Sequence, residues 1–256
     1  MANLKLNRPK KHLIIPDSHA HPQYSNKRYD WLGKLILDIK PDVVVNLGDM
    51  ADMASLCSYD KGKKSHEGKR YTADCNVAAE ASDRIWHPTR IAKRKFPGRR
   101  VLTVGNHENR IDRATELQAE LSGVLSLSDL GYDRDWEVIP FLEPIEIDGV
   151  YYAHYHTSGV MGKPISGEHP AYSLVTKRHV SCVQGHTHAL DYCRRNRPDG
   201  RHIIGLVAGC YIDYNAEYAG NANGMWTKGV SILHDVQEGV FDFEFIGLDR
   251  IRKAYK

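Results

Sequence analysis

Long apolar runs are missing from this 256-residue chain. No stretch reaches the roughly 18 residues that a membrane-spanning helix needs, and the start MANLKLNRPKKHLIIPD has no apolar core ahead of a small-residue cleavage site. These absences predict a cytoplasmic protein with no membrane partner. Cysteine is sparse as well. Cys57, Cys75, Cys182, Cys193 and Cys210 are odd in number, scattered and never in a CxxC pair, which argues against a disulfide framework or a zinc knuckle and for reduced thiols. Charge of one sign is not in excess: a net +3 does not by itself imply a nucleic-acid partner. Repeats, low-complexity segments and Pro/Gly/Ser-rich linkers are also lacking. With 41% hydrophobic residues a sizeable core is available, so residues 1–256 are expected to form one domain. Oligomeric state is left open.

What is present is strand followed by helix. HLIIP (12–16) is a short β-branched run, after which Tyr29, Leu32, Leu35, Ile36 and Ile39 recur at helical spacing up to Pro41. VVVNL (43–47) and VLTV (101–104) are the next buried-type strands. Between them Val77, Ala81 and Ile85 mark a helix that Pro88 is expected to kink or break. Residues 109–122 read as helical. Shorter strands follow at 144–148, 150–154, 180–184 and 202–208, with a hairpin of 229–236 and 239–246 around QEG. The expectation is a layered α/β protein.

Polar clusters punctuate this map. PDSH follows the first strand, GDMAD the second, GNHE the third, HYH a fourth and GHTH a fifth. Any one of them is weak evidence, because Asp-x-His or Gly-Asp alone is usually a turn or a cap. Five in series, each at the end of an apolar strand, place a ligand site where loops of an open α/β sheet converge. In an extended segment residues two apart point the same way, so Asp17 with His19, and His186 with His188, are expected to approach one cluster. Asp, Asn and His offer oxygen and imidazole nitrogen, which suits manganese, iron, zinc or nickel better than calcium or a thiolate site. A carboxylate such as Asp49 can bridge two cations. Two metals sharing a water would make phosphate ester hydrolysis the natural chemistry.

The series DSH (17–19), GDMAD (48–52), GNHE (105–108), His154 and GHTH (185–188) resembles the motif set of the calcineurin-like metallophosphoesterases, and the compact chain looks like their bacterial and phage-encoded members. That resemblance implies a single-domain four-layer α/β/β/α sandwich. It further implies two divalent cations, manganese first, with iron, zinc or nickel as alternatives. One would be held by Asp17, His19, Asp49 and His188, the other by Asp49, Asn106, His154 and His186. His107 would sit beside the scissile phosphate as proton donor or charge stabiliser, oriented by Asp52, and Asn106 with His107 would touch substrate. His154 and His156 both lie on one side of an extended strand; His154 is favoured because it ends the apolar run VYYA. His21 either lines the pocket or is a polar loop member, and histidines 12, 66, 87, 169, 179, 202 and 234 have no motif context.

Substrate choice rests on departures and charge runs. Serine/threonine protein phosphatases carry an arginine after the second aspartate of the GD motif, whereas this chain has Met53. Loss of a guanidinium fork weakens the case for a terminal phosphate and favours a phosphodiesterase or nuclease acting on nucleotides or nucleic acid. A phosphomonoesterase is the alternative, and a non-catalytic scaffold the last. KGKKSHEGKR (61–70), KRKFPGRR (93–100) and RRNRPDGR (194–201) are basic, and such runs are ordinarily solvated faces. The first follows Asp49 closely, so Lys61, Lys63 and Lys64 are expected to bind substrate phosphates, with Tyr59 and Tyr71 stacking on bases. YIDYNAEYAGNANGMW (211–226) is a second expected rim loop.

Overall fold

The computed structural model describes residues 8–93 and 98–256. In chain order the elements are β1 (Lys10–Ile15), α1 (Lys27–Ile39), β2 (Val43–Asn46), α2 (Tyr71–Ile91), β3 (Arg99–Thr103), α3 (Arg110–Leu117), β4 (Glu137–Ile139), β5 (Ile145–Ile147), β6 (Val150–Tyr152), β7 (Thr157–Ser158), β8 (Lys163–Pro164), α4 (Pro170–Arg178), β9 (Cys182–Gln184), β10 (Leu190–Asn196), β11 (His202–Ala208), β12 (Gly229–Gln237), β13 (Val240–Gly247) and α5 (Leu248–Tyr255). The fold is mixed α/β, as the alternation of apolar strands and helical spacing predicts.

Two sheets dominate. The first has the order β13-β12-β1-β2-β3-β4 and the second β10-β11-β9-β6-β5. Strands β1 to β4 are parallel, as are β6, β9 and β11. The β12–β13 hairpin, β10 and β5 add antiparallel edges. Side-chain alternation sorts the apolar residues. Leu13, Ile15, Val44 and Leu102 turn to one face of the first sheet and join Leu32, Ile36, Ala81, Ile85 and Ile251 from α1, α2 and α5. Ile14, Val45 and Val101 turn to the other face and meet Tyr152, Val183 and Leu206 of the second sheet. On the far side of that sheet Cys182 and Val207 pack under Ala171 and Leu174 of α4. No helix of the described residues is long and apolar enough to cross a membrane, and all five cysteines are free.

Several sequence readings are corrected. Pro88 does not end its helix: α2 runs on to Ile91. The turns on either side of it are held by buried Ile85, Trp86 and Thr89, and its ring lies against Gly33 of α1, where a Cβ would come within 2.9 Å of it. Tertiary packing thus offsets the missing amide donor. The helix expected over 109–122 stops at Leu117, and a separate 3-10 turn covers Ala119–Leu121. Strands β4 and β10 and helices α4 and α5 were not anticipated; β10, LDYCRRN, is largely exposed and lacks the apolar signature of a buried strand.

At the amino-terminal ends of the strands a polar network is closed on itself. His12, wholly buried, meets the Tyr152 hydroxyl at 2.7 Å and Asp148 at 3.0 Å, and Lys10 donates to the same carboxylate at 2.8 Å. Burial lowers the His12 pKa to about 4 despite Asp148. The unfolded chain therefore takes up this proton near pH 6.5 and the folded chain only near 4, so stability is full above that window and falls as pH drops through it. The loss should approach about 3 kcal/mol by pH 4. Melting temperature should fall more steeply between pH 6.5 and 4.5 in the wild type than in His12→Gln; parallel slopes would remove His12 as the cause.

Candidate metal centre

Five loops leave the carboxyl ends of β1, β2, β3, β6 and β9 and turn inward between the sheets. The structure brings together Asp17, His19, Asp49, Asn106, His107, His154, His186 and His188. Three groups have donor atoms within metal-binding reach of one another: Asp17, His19 and His188; Asp17, Asp49 and His154; and His19, Asp49 and His107.

The two carboxylates are set by one device used twice. Asp17 accepts the His186 amide on Oδ1 at 2.8 Å, and Asp49 accepts the His107 amide on Oδ1 at 2.8 Å. A Cβ on Gly185 would fall 2.1 Å from Asp17 Oδ1, and one on Gly105 would fall 2.1 Å from Asp49 Oδ1. Only glycine leaves room for either carboxylate to reach its amide. The second oxygens face inward. Asp49 Oδ2 stands 3.5 Å from His154 Nε2 and 3.8 Å from both His19 Nε2 and His107 Nε2. Asp17 Oδ2 lies 3.3 Å from His188 Nε2 and is a buried oxygen with no hydrogen-bond partner.

The imidazoles are held by their Nδ1 atoms. His19 donates to Asp52 at 2.9 Å, so its Nε2 carries a lone pair, and that buried atom has no hydrogen-bond partner. His154 donates Nδ1–H to the Leu47 carbonyl at 2.9 Å, which turns the Nε2 lone pair toward Asn106 Oδ1 at 2.8 Å. Two acceptors facing each other call for a proton or a cation, or for exchange of the Asn106 amide atoms. Unpartnered buried acceptors that share a focus fit a metal ion better than a hydrogen-bonded core. Oxygen and imidazole donors suit a divalent cation of the borderline class.

Electrostatics agree with the geometry. Burial pushes Asp17 up, but His188, His154 and His19 outweigh it and hold the carboxyl below its ordinary range. Burial likewise opposes the charge on Asp49, and His154 and His107 prevail over it. Asp52 is held well below the usual range against its burial by His107 and His19. For His107, burial works against the charged form, while Asp49 and Asp52 overcome it and raise the pKa.

Each predicted residue can now be placed. His154 joins the cluster, whereas His156 is buried on its own side, its amide bonded to Gln184 and its pKa lowered by burial to about 4. His186 stands beside the metal-binding groups, its ring 5.1 Å from that of His154. His21 approaches Asp52 at 3.7 Å. Asp52 contacts His107 Nδ1 at 3.0 Å, as expected, and also holds His19. The extended-segment argument fails, because His19, Asp49, His186 and His188 all have positive φ, at 45°, 48°, 69° and 58°. Their side chains converge through left-handed turns. Lys61, Lys63 and Lys64 are exposed and, among the described residues, form no hydrogen bond or ion pair with the cluster. Tyr59 is exposed, and Tyr71 donates its hydroxyl to Asp129 at 2.7 Å. Residues 94–97 of the second basic run lie outside the described residues; Arg99 pairs with Glu137 at the far end of β3. The third run turns at the far end of β10, where Asp199 pairs with Arg201. The 211–226 loop does border the site: Tyr211 donates its amide to Asp17 O at 2.7 Å, Tyr214 its hydroxyl to His19 O at 2.8 Å, and Trp226 lies 4.3 Å from the His188 ring.

Three residues to which the sequence assigns no role support the site, and one of them, Glu108, closes the GNHE motif. Arg28, fully buried, donates to the carbonyls of Ser18 and His19 and to Asp213. Glu108 accepts the amides of Asp49 and Ala51 at 2.9 Å and of Gly105 at 3.0 Å, joining two of the loops. Arg110 donates to the carbonyls of Asp52 and Met53, and its Nη2 lies 3.1 Å from His107 Nε2.

No protein-family model matches the chain, and no curated protein matches it. Among solved structures it is similar to TT1561 of Thermus thermophilus, at 10% identity over 94% of this chain and 99% of that one, with a TM-score of 0.39. So distant a likeness says nothing of ligand or activity.

Glu108→Gln replaces an acceptor of three buried amides by a group with half the acceptor capacity. It should cost about 2–4 kcal/mol in urea denaturation of the metal-free protein; a loss below about 0.5 kcal/mol would show that the amides find other partners.

Proposed function

We propose that the chain is a metal-dependent phosphoesterase of the calcineurin-like metallophosphoesterase kind. The observation that carries this reading is the focus of unpartnered acceptors: Asp17 Oδ2 and His19 Nε2 buried without partners, and Asp49 Oδ2 facing three imidazole nitrogens. The order of helix, sheet, sheet and helix around three apolar clusters agrees with the four-layer sandwich that the motif resemblance implies.

Asp17, His19, Asp49 and His188 would hold one divalent cation, and Asp49, Asn106, His154 and His186 a second. Two such cations supply the positive charge that activates a water and polarises the phosphoryl oxygens. The chain's own residues supply the rest. The Asp52 carbonyl at 2.7 Å and its carboxylate at 3.0 Å both face His107 Nδ1, which fixes the ring and makes Nε2 of the imidazolium the atom that hands a proton to the leaving oxygen. Asp52 bonds His19 through the same carboxylate oxygen, so acid and ligand share one positioning group. Manganese remains the first choice, with iron, zinc and nickel as alternatives. In the sequence, Met53 and the lysine loop favour phosphodiester and nucleic-acid substrates. Met53 is buried in the apolar core, and among the described residues Lys61, Lys63 and Lys64 form no hydrogen bond or ion pair with the cluster. A non-catalytic scaffold gives no account of His107 and Asp52 set beside an intact acceptor focus.

Metal-stripped protein refilled with manganese should hydrolyse nitrophenyl phosphate or bis-nitrophenyl phosphate and melt several degrees higher than the stripped form. Asp49→Asn should lose both the rise and at least about a hundredfold in turnover. Wild-type activity in that variant would sink the dinuclear arrangement. His107→Asn should slow alkyl phosphates by roughly a hundred- to ten-thousandfold and nitrophenyl esters far less, since a stable leaving anion needs little protonation; equal losses would make His107 a phosphate-binding residue instead.

A further inference from the structure

The guanidinium that the sequence seemed to lack is supplied from another element. Arg110 opens α3, three residues after His107. Its Nη1 donates to the carbonyl of Asp52 at 2.8 Å and to that of Met53 itself at 3.2 Å. Its Nη2 lies 3.1 Å from His107 Nε2. Two carbonyls therefore fix the plane of the group, and one corner of it rests on the very atom that faces the leaving oxygen. Arg110 and His107 are both partly exposed, so an anion arriving from solvent meets this pair. Arg28, by contrast, is fully buried and spent on backbone carbonyls and Asp213.

We infer that Arg110 grips the free oxygens of a terminal phosphate, which makes a phosphate monoester the substrate class of this site; the inference rests on the phosphoesterase reading above. A monoester presents three free oxygens and up to two negative charges, and a diester presents two oxygens and one charge. With Nη1 held by the two carbonyls, Nη2 is the arm that meets the phosphate, and the guanidinium charge gains more from a doubly charged monoester than from a singly charged diester. The immobilised plane of the group also lowers the ordering cost of the contact.

The test uses the manganese-loaded protein, inorganic phosphate as probe, and Arg110→Gln and Arg110→Lys variants whose melting temperatures match the wild type. Calorimetry should show phosphate binding weakened roughly 10- to 100-fold in Arg110→Gln, with Arg110→Lys recovering part of it, because an ammonium lacks the fork. KM for nitrophenyl phosphate should rise by a similar factor, and KM for bis-nitrophenyl phosphate by less than about threefold. Unchanged phosphate affinity in Arg110→Gln, equal losses on both esters, or no phosphate binding by the wild type would overturn the inference. If phosphate binds through Arg110 while neither ester is hydrolysed, the anion grip stands and the phosphoesterase reading is what fails.

Discussion

Asp17 and Asp49 carry the site, and each is held by the same bargain between backbone and side chain. One oxygen is satisfied by an amide from a loop of another strand, across a glycine that leaves no Cβ in the way. The other oxygen is turned inward among imidazoles. Because the amide bound by Asp17 comes from the second sheet and the amide bound by Asp49 from the first, these two contacts tie loops of both sheets to one focus. A buried carboxylate without a countercharge is costly, so the histidines and the amides around them are a condition for folding as well as for chemistry. The backbone bears part of the strain: His19, Asp49, Met53, His186 and His188 all occupy the left-handed region, which non-glycine residues adopt at a cost of order 1 kcal/mol or more each.

The supports of this arrangement lie one step further out. Glu108 binds the amides of the second and third loops together, and Arg28 draws the first loop back by its carbonyls. Tyr211 and Tyr214 reach the same loop from the far end of the chain, and a stacked Tyr24–Tyr214 pair, with ring centroids 3.7 Å apart, closes over it. These groups act on backbone atoms. Removing any one of them is expected to move a ligand without deleting one, which is how geometry and affinity come to depend on residues remote from the focus.

That distinction also explains what the sequence discloses. Asp17, His19, Asp49, His154, His186 and His188 were legible because each follows an apolar run that fixes a strand and thus a strand end. Their convergence comes from left-handed turns at His19, His186 and His188 and not from spacing by two in an extended chain. The roles of Arg28 and of Glu108, though the latter closes the GNHE motif, were illegible because a side chain that binds backbone amides or carbonyls leaves no partner residue in the sequence to pair it with. Arg110 was missed for a related reason: its neighbours are two carbonyls and one ring nitrogen, brought to it by the start of α3. Strand β10 and helix α4 escaped notice because an edge strand and a short helix need only a few apolar residues. At Met53 the motif identifies a place in the chain, and a φ of 49° goes with a side chain buried in the core.

The two ends of the sheets make the chemical argument by contrast. At the amino-terminal ends, His12, Tyr152, Asp148 and Lys10 are polar, close to the core and fully matched to one another. At the carboxyl ends, the same kinds of residue in the same fold leave Asp17 Oδ2 and His19 Nε2 without donors and set His154 Nε2 against Asn106 Oδ1. The first network shows that this chain can satisfy buried imidazole and carboxylate groups when stability alone is at stake. What sets the second apart is that its acceptors share one focus, and that focus is where positive charge is required. The guanidinium of Arg110 and the imidazole of His107 stand at its partly exposed edge, so that an anion entering from solvent would complete the charge balance that the buried residues leave open.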